Sequence, residues 1–248
     1  MTTGKLTGKV ALVTGSARGI GRAIALKLAQ EGASLVINYA GSTAQAQEVV
    51  EAIEAEGGSA IALQGDVSSV SDIQRLFDRT IEHFGKLDIL VNNAGILTNK
   101  KIADFTEAEF DKIFAVNVKG TFFACQQAAQ RLADGGRIIN FSSSTTLMML
   151  PTYGAYVATK GAVEQLTRVL AKEVGQRGIT VNVISPGPID TTLFREGKTE
   201  AQIQDFVQAS ALGRLGEVQD IADIVAFLAS DDSRWITGQN IRANGGII

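Results

Sequence analysis

The sequence predicts one doubly wound α/β domain: a parallel sheet of about seven strands with helices on both faces. Three observations carry that expectation. Seven short apolar runs alternate with longer helical patterns along all 248 residues. Most of the runs are apolar through their centres instead of alternating, as strands covered on both faces must be. A glycine-rich turn lies between the first run and the first helical pattern, where such folds hold phosphate groups.

The runs are V-A-L-V-T (10–14), L-V-I-N-Y (35–39), A-I-A-L-Q (60–64) and D-I-L-V-N (88–92). R-I-I-N-F (137–141), T-V-N-V-I (180–184) and N-I-R-A (240–243) complete the set. Helical periodicity predicts helices near 19–31, 43–56, 69–84, 107–133, 154–176 and 217–229. Gly32, Gly57, Gly85, Gly135 and Gly178 fall where these patterns stop, as left-handed helix caps would. The βαβα order implies right-handed crossovers within one sheet. Residues 190–212 break the rhythm, being too long for a tight strand–helix connection. They are expected to form a lid over the strand ends, where ligands of open α/β sheets bind. No linker or internal repeat divides the chain, so 1–248 reads as a single domain.

Composition narrows the function. The chain is 45% hydrophobic and 20% charged, with net charge −3 and interspersed signs, so no basic stripe suits nucleic acid. No apolar run approaches the roughly 18–20 residues that span a bilayer. The start, M-T-T-G-K-L-T-G-K-V, lacks the apolar core of a signal peptide, and a cytoplasmic location is expected. Cys125, the single cysteine, sits in T-F-F-A-C-Q-Q-A-A and reads as a small core residue. His83, the single histidine, reads as a surface residue at a helix end. Disulfides, zinc sites and Ser–His or Cys–His triads therefore drop out, and no metal is expected.

The turn T-G-S-A-R-G-I-G places Gly15, Ser16, Ala17, Arg18, Gly19, Ile20 and Gly21 between strand and helix. Glycines let the backbone turn sharply and approach a pyrophosphate, whose charge the helix N-terminus favours. No G-K-[ST] follows, which excludes a Walker loop. A site selective for NAD usually carries an acid about 20 residues past the loop for the ribose 2′-hydroxyl. Here that region, L-V-I-N-Y-A-G-S (35–42), has none. Arg18 is a candidate partner for a 2′-phosphate, with Tyr39 and Ser42 nearby in sequence, so NADP is expected. Asp66, beside Val67 in G-D-V, is either an adenine ligand or a helix-cap residue. N-N-A-G (92–95), including Asn93, offers small residues for a cofactor to lie against.

Tyr156 and Lys160 stand four residues apart in Y-V-A-T-K, and Ser143 lies thirteen residues before the tyrosine. On a helix that spacing projects phenol and ammonium from one face. A nearby cation favours phenolate, drawing a group of pKa about 10 towards acid–base duty near neutrality. Ser143, at the end of an adjacent strand, could hold the oxygen on which the tyrosine acts.

Together these pieces resemble the short-chain dehydrogenase/reductase family over essentially the whole chain. Asn117 in V-N-V-K-G and P-G-P-I-D-T (186–191) extend the match. The resemblance implies a Rossmann-type fold and a catalytic tetrad at Asn117, Ser143, Tyr156 and Lys160. Ile189 and Thr191 would lie beside the nicotinamide carboxamide and pyrophosphate, and Lys160 would grip the ribose hydroxyls. The pattern is most similar to 3-oxoacyl-carrier-protein reductases and related ketoreductases, implying NADPH-dependent interconversion of a ketone and a secondary alcohol. The alternatives are the carrier-protein reaction of fatty-acid synthesis and, less favoured, an NADP-binding protein without turnover. Asp134 in L-A-D-G-G-R stands where carrier-protein reductases often have basic residues, and Asn244 stands where an aspartate is usual. Relatives pair through helices matching 107–133 and 154–176 and through the C-terminal strand. A homotetramer is accordingly expected.

Overall fold

The computed structural model describes residues 4–248 and contains one seven-stranded sheet. Its strands are β1 (Val10–Val13), β2 (Ser34–Tyr39), β3 (Ala60–Gln64), β4 (Ile89–Asn92), β5 (Arg137–Phe141), β6 (Thr180–Pro186) and β7 (Asn240–Ala243). Every pairing is parallel, and the spatial order is β3-β2-β1-β4-β5-β6-β7. Between β1 and β4 the direction of winding reverses, which opens a crevice at the carboxyl ends of the strands.

The helices are α1 (Gly19–Gln30), α2 (Thr43–Ala55), α3 (Val70–Phe84), α4 (Glu107–Phe114) and α5 (Thr121–Arg131). They continue as α6 (Thr145–Met148), α7 (Gly154–Val174), α8 (Thr192–Arg195), α9 (Glu200–Ala209) and α10 (Val218–Ala229). The alternation of side chains along each strand explains the uninterrupted apolar runs. Ala11 and Val13 point into one core, with α1, α2 and α10, while Val10 and Leu12 point into the other, with α3, α5 and α7. Neither face of the sheet is left to solvent, so both residue parities must be apolar. Gly32, Gly57, Gly85, Gly135 and Gly178 all adopt positive φ, as expected of residues ending helical patterns.

The predicted helix over 107–133 is corrected. A π-helical turn, Ala115–Gly120, separates α4 from α5. The Asn117 side chain binds Ile96 in both directions, accepting from its N–H and donating to its carbonyl, each at 2.9 Å. The Asn117 carbonyl meanwhile accepts the Thr121 hydroxyl at 2.9 Å. These bonds hold the widened turn, and Gly120 lets it press on the Val67 backbone, where a Cβ would lie 2.7 Å from the carbonyl oxygen. Apolar periodicity registers none of this, since one extra residue per turn barely changes which residues face inward.

The 190–212 excursion contains α8 and α9. Thr191 caps α8, and Thr199 with Gln202 forms a reciprocal capping box on α9. Arg195 makes two bonds to Asp190, at 2.6 and 2.9 Å, and Phe194 packs edge-on against Phe206. Cys125 is buried, and loss of solvation pushes its thiol up to about 12, which leaves it inert as a nucleophile. His83 lies exposed in the last turn of α3. No helix among the described residues is long and apolar enough to cross a membrane.

Candidate active site

The glycine turn follows β1 and the segment Asn93–Gly95 follows β4, so the two face each other across the crevice. Gly15 and Gly19 have φ of 64° and 55°, a region that costs other residues about 1 kcal/mol or more. A Cβ on Gly15 would press on Ala94 at 3.1 Å, whereas one on Gly19 would meet nothing within 4 Å. Gly21 is needed for packing: its Cβ would fall 2.4 Å from the Gly15 carbonyl oxygen. The helix that follows has no acid in its first turn and no side-chain cap at Arg18, so its first N–H groups face an open cradle. Ala17 is buried beneath the loop and Ile20 half-buried.

Polar side chains brace this cradle. Asn93 donates to the carbonyls of Thr14 and Gly15, at 2.9 and 3.1 Å. The Thr14 hydroxyl accepts the N–H groups of Asn93 and Ala94, both at 3.0 Å. Asn38 accepts from the Gly15 N–H at 3.2 Å and donates to Gly65 at 3.0 Å. The Ser16 hydroxyl donates to the Val13 carbonyl. The Asn93 amide and the Ser16 hydroxyl thus shape the loop, and a ligand there meets their backbones. Thr14 and Asn38 are supports that a motif search misses, although both lie at strand ends beside the glycines.

Arg18 and Ser42 are exposed and Tyr39 half-buried around the end of β2. Arg18 has no ion-pair partner among the described residues. Asp66 is exposed and accepts the Ser68 N–H at 2.8 Å, a turn-forming bond that leaves its second oxygen unbonded. Ile189 is buried and bridges Gly216, and the Thr191 hydroxyl accepts from Phe194 N–H. Asn244 accepts the Gly246 N–H at 3.0 Å, which a carboxylate would do equally well, but its Nδ2 is buried without a partner.

The four tetrad positions converge at the ends of β4 and β5. A Cβ on Gly95 would lie 3.4 Å from Asn117 Oδ1 and 3.5 Å from Lys160 Nζ. Asn117 also donates to the Thr159 hydroxyl at 3.1 Å, and that hydroxyl bonds the Tyr156 carbonyl at 2.7 Å, linking the π turn to α7. Lys160 is 5% exposed; its ammonium donates to the Phe141 carbonyl at 2.9 Å and lies 5.5 Å from the Tyr156 ring centre. Ser143 is bonded differently from its neighbours. The Ser142 and Ser144 hydroxyls are buried and donate to Glu164 and the Ser185 carbonyl. Ser143 accepts from the Thr145 N–H and hydroxyl, which leaves its own proton for another acceptor.

The expectation that Lys160 draws the tyrosine towards phenolate is corrected for the ligand-free protein. Burial dominates and pushes Tyr156 up to about 12, with the Ser143 hydroxyl pulling the other way and Tyr153 adding to the rise. Burial likewise pushes Lys160 down to about 8. Both shifts follow from removing the charged form from water. At neutral pH the pair is therefore a phenol beside an ammonium.

A glycine cradle thus adjoins the half-buried Ser143 and Tyr156 and the buried Lys160 at the carboxyl edge of a parallel α/β sheet. A family model described as enoyl-(acyl carrier protein) reductase matches residues 15–248. An uncharacterised oxidoreductase of Methylorubrum extorquens is 48% identical, covering 98% of this chain and 99% of its own. Elsinochrome reductase 1 of Elsinoe fawcettii is 44% identical over 99% and 96% of the two chains. The crystal structure of an angucycline C-6 ketoreductase with bound NADP superposes with a TM-score of 0.93 at 44% identity, covering 98% and 97%. The chain belongs to the short-chain dehydrogenase/reductase family.

The buried ammonium makes a prediction for the ligand-free protein. Lys160→Met keeps the apolar stem and removes the charge, so its thermal midpoint at pH 7 is expected at or above that of the unmodified protein. The advantage is roughly 1.4 kcal/mol for each unit by which the lysine is depressed, less the loss of the Phe141 bond. Between pH 8 and 10.5 the unfolded chain holds the lysine proton and the folded chain does not. The unmodified protein therefore gains on the variant as pH rises through that window. A difference in midpoint that stays constant with pH would refute the ammonium as its source.

Proposed function

We propose that the protein reduces ketones to secondary alcohols with NADPH and catalyses the reverse oxidation. The observation that carries this is the meeting of Asn117, Ser143, Tyr156 and Lys160 beside the glycine cradle. When bound, the nicotinamide supplies or accepts a hydride at the carbonyl carbon. Tyr156 gives its phenolic proton to the carbonyl oxygen in reduction and takes it back in oxidation. Ser143 donates to the same oxygen as negative charge develops there. Proton donation turns a neutral phenol beside an ammonium into a phenolate beside an ammonium. The attraction gained in a site closed to water offsets the burial that holds Tyr156 protonated at rest. Lys160 would also bind the nicotinamide ribose hydroxyls, and Asn117 would hold the water through which Lys160 regains protons.

The cofactor is assigned to Gly15, Ser16, Ala17, Arg18, Gly19, Ile20, Gly21, Tyr39, Ser42, Asp66, Val67, Asn93, Ile189 and Thr191, with Tyr156 and Lys160. NADP over NAD rests on Arg18, which has no ion-pair partner among the described residues, and on the missing acid after β2, and the angucycline ketoreductase has NADP bound. For the substrate, the loops leaving β4, β5 and β6 carry exposed apolar side chains at Ile102, Leu147, Met149 and Leu193, Met149 being 82% exposed. Residues 190–212 are the lid over them, within a single domain spanning 1–248. An apolar rim of that breadth suits a large, flat ketone better than a small polar one, and two of the proteins above are named for elsinochrome and for angucycline. Carrier-protein substrates are less favoured, since Asp134 is committed to an ion pair with Arg177 at 2.8 Å on that surface. We place the protein in the cytoplasm as a homotetramer. Phe110, Phe122 and Val169 leave an exposed apolar face on the adjoining helices α4, α5 and α7, and Trp235, 97% exposed, precedes the edge strand β7.

A panel of aliphatic, aryl and polycyclic ketones and enones, followed by NADPH absorbance, tests the reading. Tyr156→Phe is expected to lower turnover by about 10²-fold or more while NADPH still binds, and retention of a tenth of the activity would contradict the proton-donor role. Ala40→Asp, at the exposed end of β2, is expected to weaken NADPH by repelling the 2′-phosphate and to improve kcat/KM with NADH. An unmodified protein that already prefers NADH refutes the assignment of Arg18. Light scattering of dilute protein is expected to give four times the 26.2 kDa chain mass. A monomer would leave the apolar helix face unexplained, and a dimer would remove the contact through β7.

A further inference from the structure

Glu164 has no part in the reaction just proposed, yet it sits on the same face of α7 as Tyr156 and Lys160, at successive steps of four residues. Its Oε1 accepts the Ser142 hydroxyl at 2.7 Å and the Thr146 hydroxyl at 3.0 Å. These two residues bracket Ser143. The intervening segment has few other ties to α7: the Lys160 ammonium on the Phe141 carbonyl, and a long contact of 3.5 Å from Ser142 to the Lys160 carbonyl. On its other side the segment is bonded to β6, through Ser142 and Ser144 N–H to the carbonyls of Ile184 and Pro186.

We infer that Glu164 is a positioning residue, whose carboxylate clamps the Ser143 loop to the helix carrying Tyr156 and Lys160 and so fixes the serine–tyrosine geometry. The inference rests on the ketoreductase reading for its consequence and on the hydrogen bonds alone for the clamp. Two bonds from one carboxylate oxygen to hydroxyls on either side of Ser143 hold both ends of a five-residue turn. A single backbone contact would leave one end free to pivot. The Lys160 bond to Phe141 cannot serve the same purpose during turnover, because the ammonium is also the group proposed to bind ribose. Glu164 keeps the loop fixed while Lys160 changes partners. Ser143 must donate to an oxygen that Tyr156 also reaches, and a shift of about 1 Å in such an arrangement is worth on the order of 10²-fold in rate.

Two readouts test it. In the ligand-free protein, amide hydrogen exchange over residues 142–149 is expected to accelerate in Glu164→Ala and to stay near the unmodified rate in Glu164→Gln, whose amide oxygen still accepts. In turnover, Glu164→Ala is expected to lower kcat about tenfold or more while KM and Kd for NADPH stay within about twofold, with Glu164→Gln restoring most of the rate. Unchanged exchange or unchanged kcat in Glu164→Ala overturns the inference. So does a loss spread evenly over kcat, KM and cofactor affinity, or a Gln variant as impaired as the Ala variant. Should Glu164→Ala fail to fold, the pair Ser142→Ala and Thr146→Val removes the same clamp from the loop side and must reproduce both effects. Inactivity of the unmodified protein on every ketone sinks the functional reading and leaves the exchange experiment to judge the clamp.

Discussion

The geometry of the proposed catalytic groups depends on how α7 is fastened to the end of β5. Three successive residues of that strand and its exit are bonded to the helix. Asn140 donates to the Thr167 hydroxyl at 2.9 Å, the Phe141 carbonyl accepts from Lys160, and Ser142 donates to Glu164. Asn140 in turn accepts from Asn92 at 2.9 Å, which carries the tie across to β4. Each of these groups is buried or half-buried, where an unpaired polar atom costs about 1–3 kcal/mol. The helix therefore has one rotation and one height that satisfy them all, and that setting aims Tyr156 and Lys160 at the strand ends. Apolar packing alone would not choose so sharply, since Leu170, Ala171 and Val174 would tolerate small slides along the sheet.

The same fastening holds an unfavourable group in place. An ammonium 5% exposed, with one carbonyl partner and no carboxylate bonded to it among the described residues, is a poor choice for stability, and burial pushes it down to about 8. A paired carboxylate would offset that cost and also weaken the positive field beside Tyr156. Glu164, one turn further along, accepts from the Ser142 and Thr146 hydroxyls and makes no ion pair with the lysine among the described residues. The carboxylate nearest in sequence to the ammonium is therefore held where it shapes the loop without neutralising the charge.

Much of this was legible in the sequence, for identifiable reasons. Strands buried on both faces have unbroken apolar runs, and all seven were placed within a few residues. That Tyr156 and Lys160 share one face of α7 was legible because helical spacing is a fixed geometric fact. What stayed hidden were features that depend on hydrogen bonds between distant segments. The π turn at Ala115–Gly120 is one, since it is held by a reciprocal bond between Asn117 and Ile96, twenty-one residues apart. The bracing of the glycine turn by Asn38, Thr14 and Asn93 is another, because asparagine at a strand end has no periodicity to betray it. The direction of the tyrosine shift was misjudged for a related reason. Spacing reveals that a cation is near, but the loss of solvation that outweighs it depends on every surrounding side chain.

Burial of both sheet faces also explains why the site lies where it does. With one core under α1, α2 and α10 and another under α3, α5 and α7, no strand surface remains for a ligand. The carboxyl edge stays open at the crevice, and there the strands end in residues unlike their interiors: Thr14 after β1, Asn92 and Asn93 at β4, Ser142 and Ser143 after β5, Pro186 closing β6. A small or polar residue at a strand end frees the backbone to turn away and leaves its own hydrogen bonds to hold the turn. The change from apolar to small and polar within two positions thus does double duty, stopping the strand and building the site. Helices α8 and α9 lie in the chain that leaves β6 at this same edge, the kind of segment that can close an edge site to water.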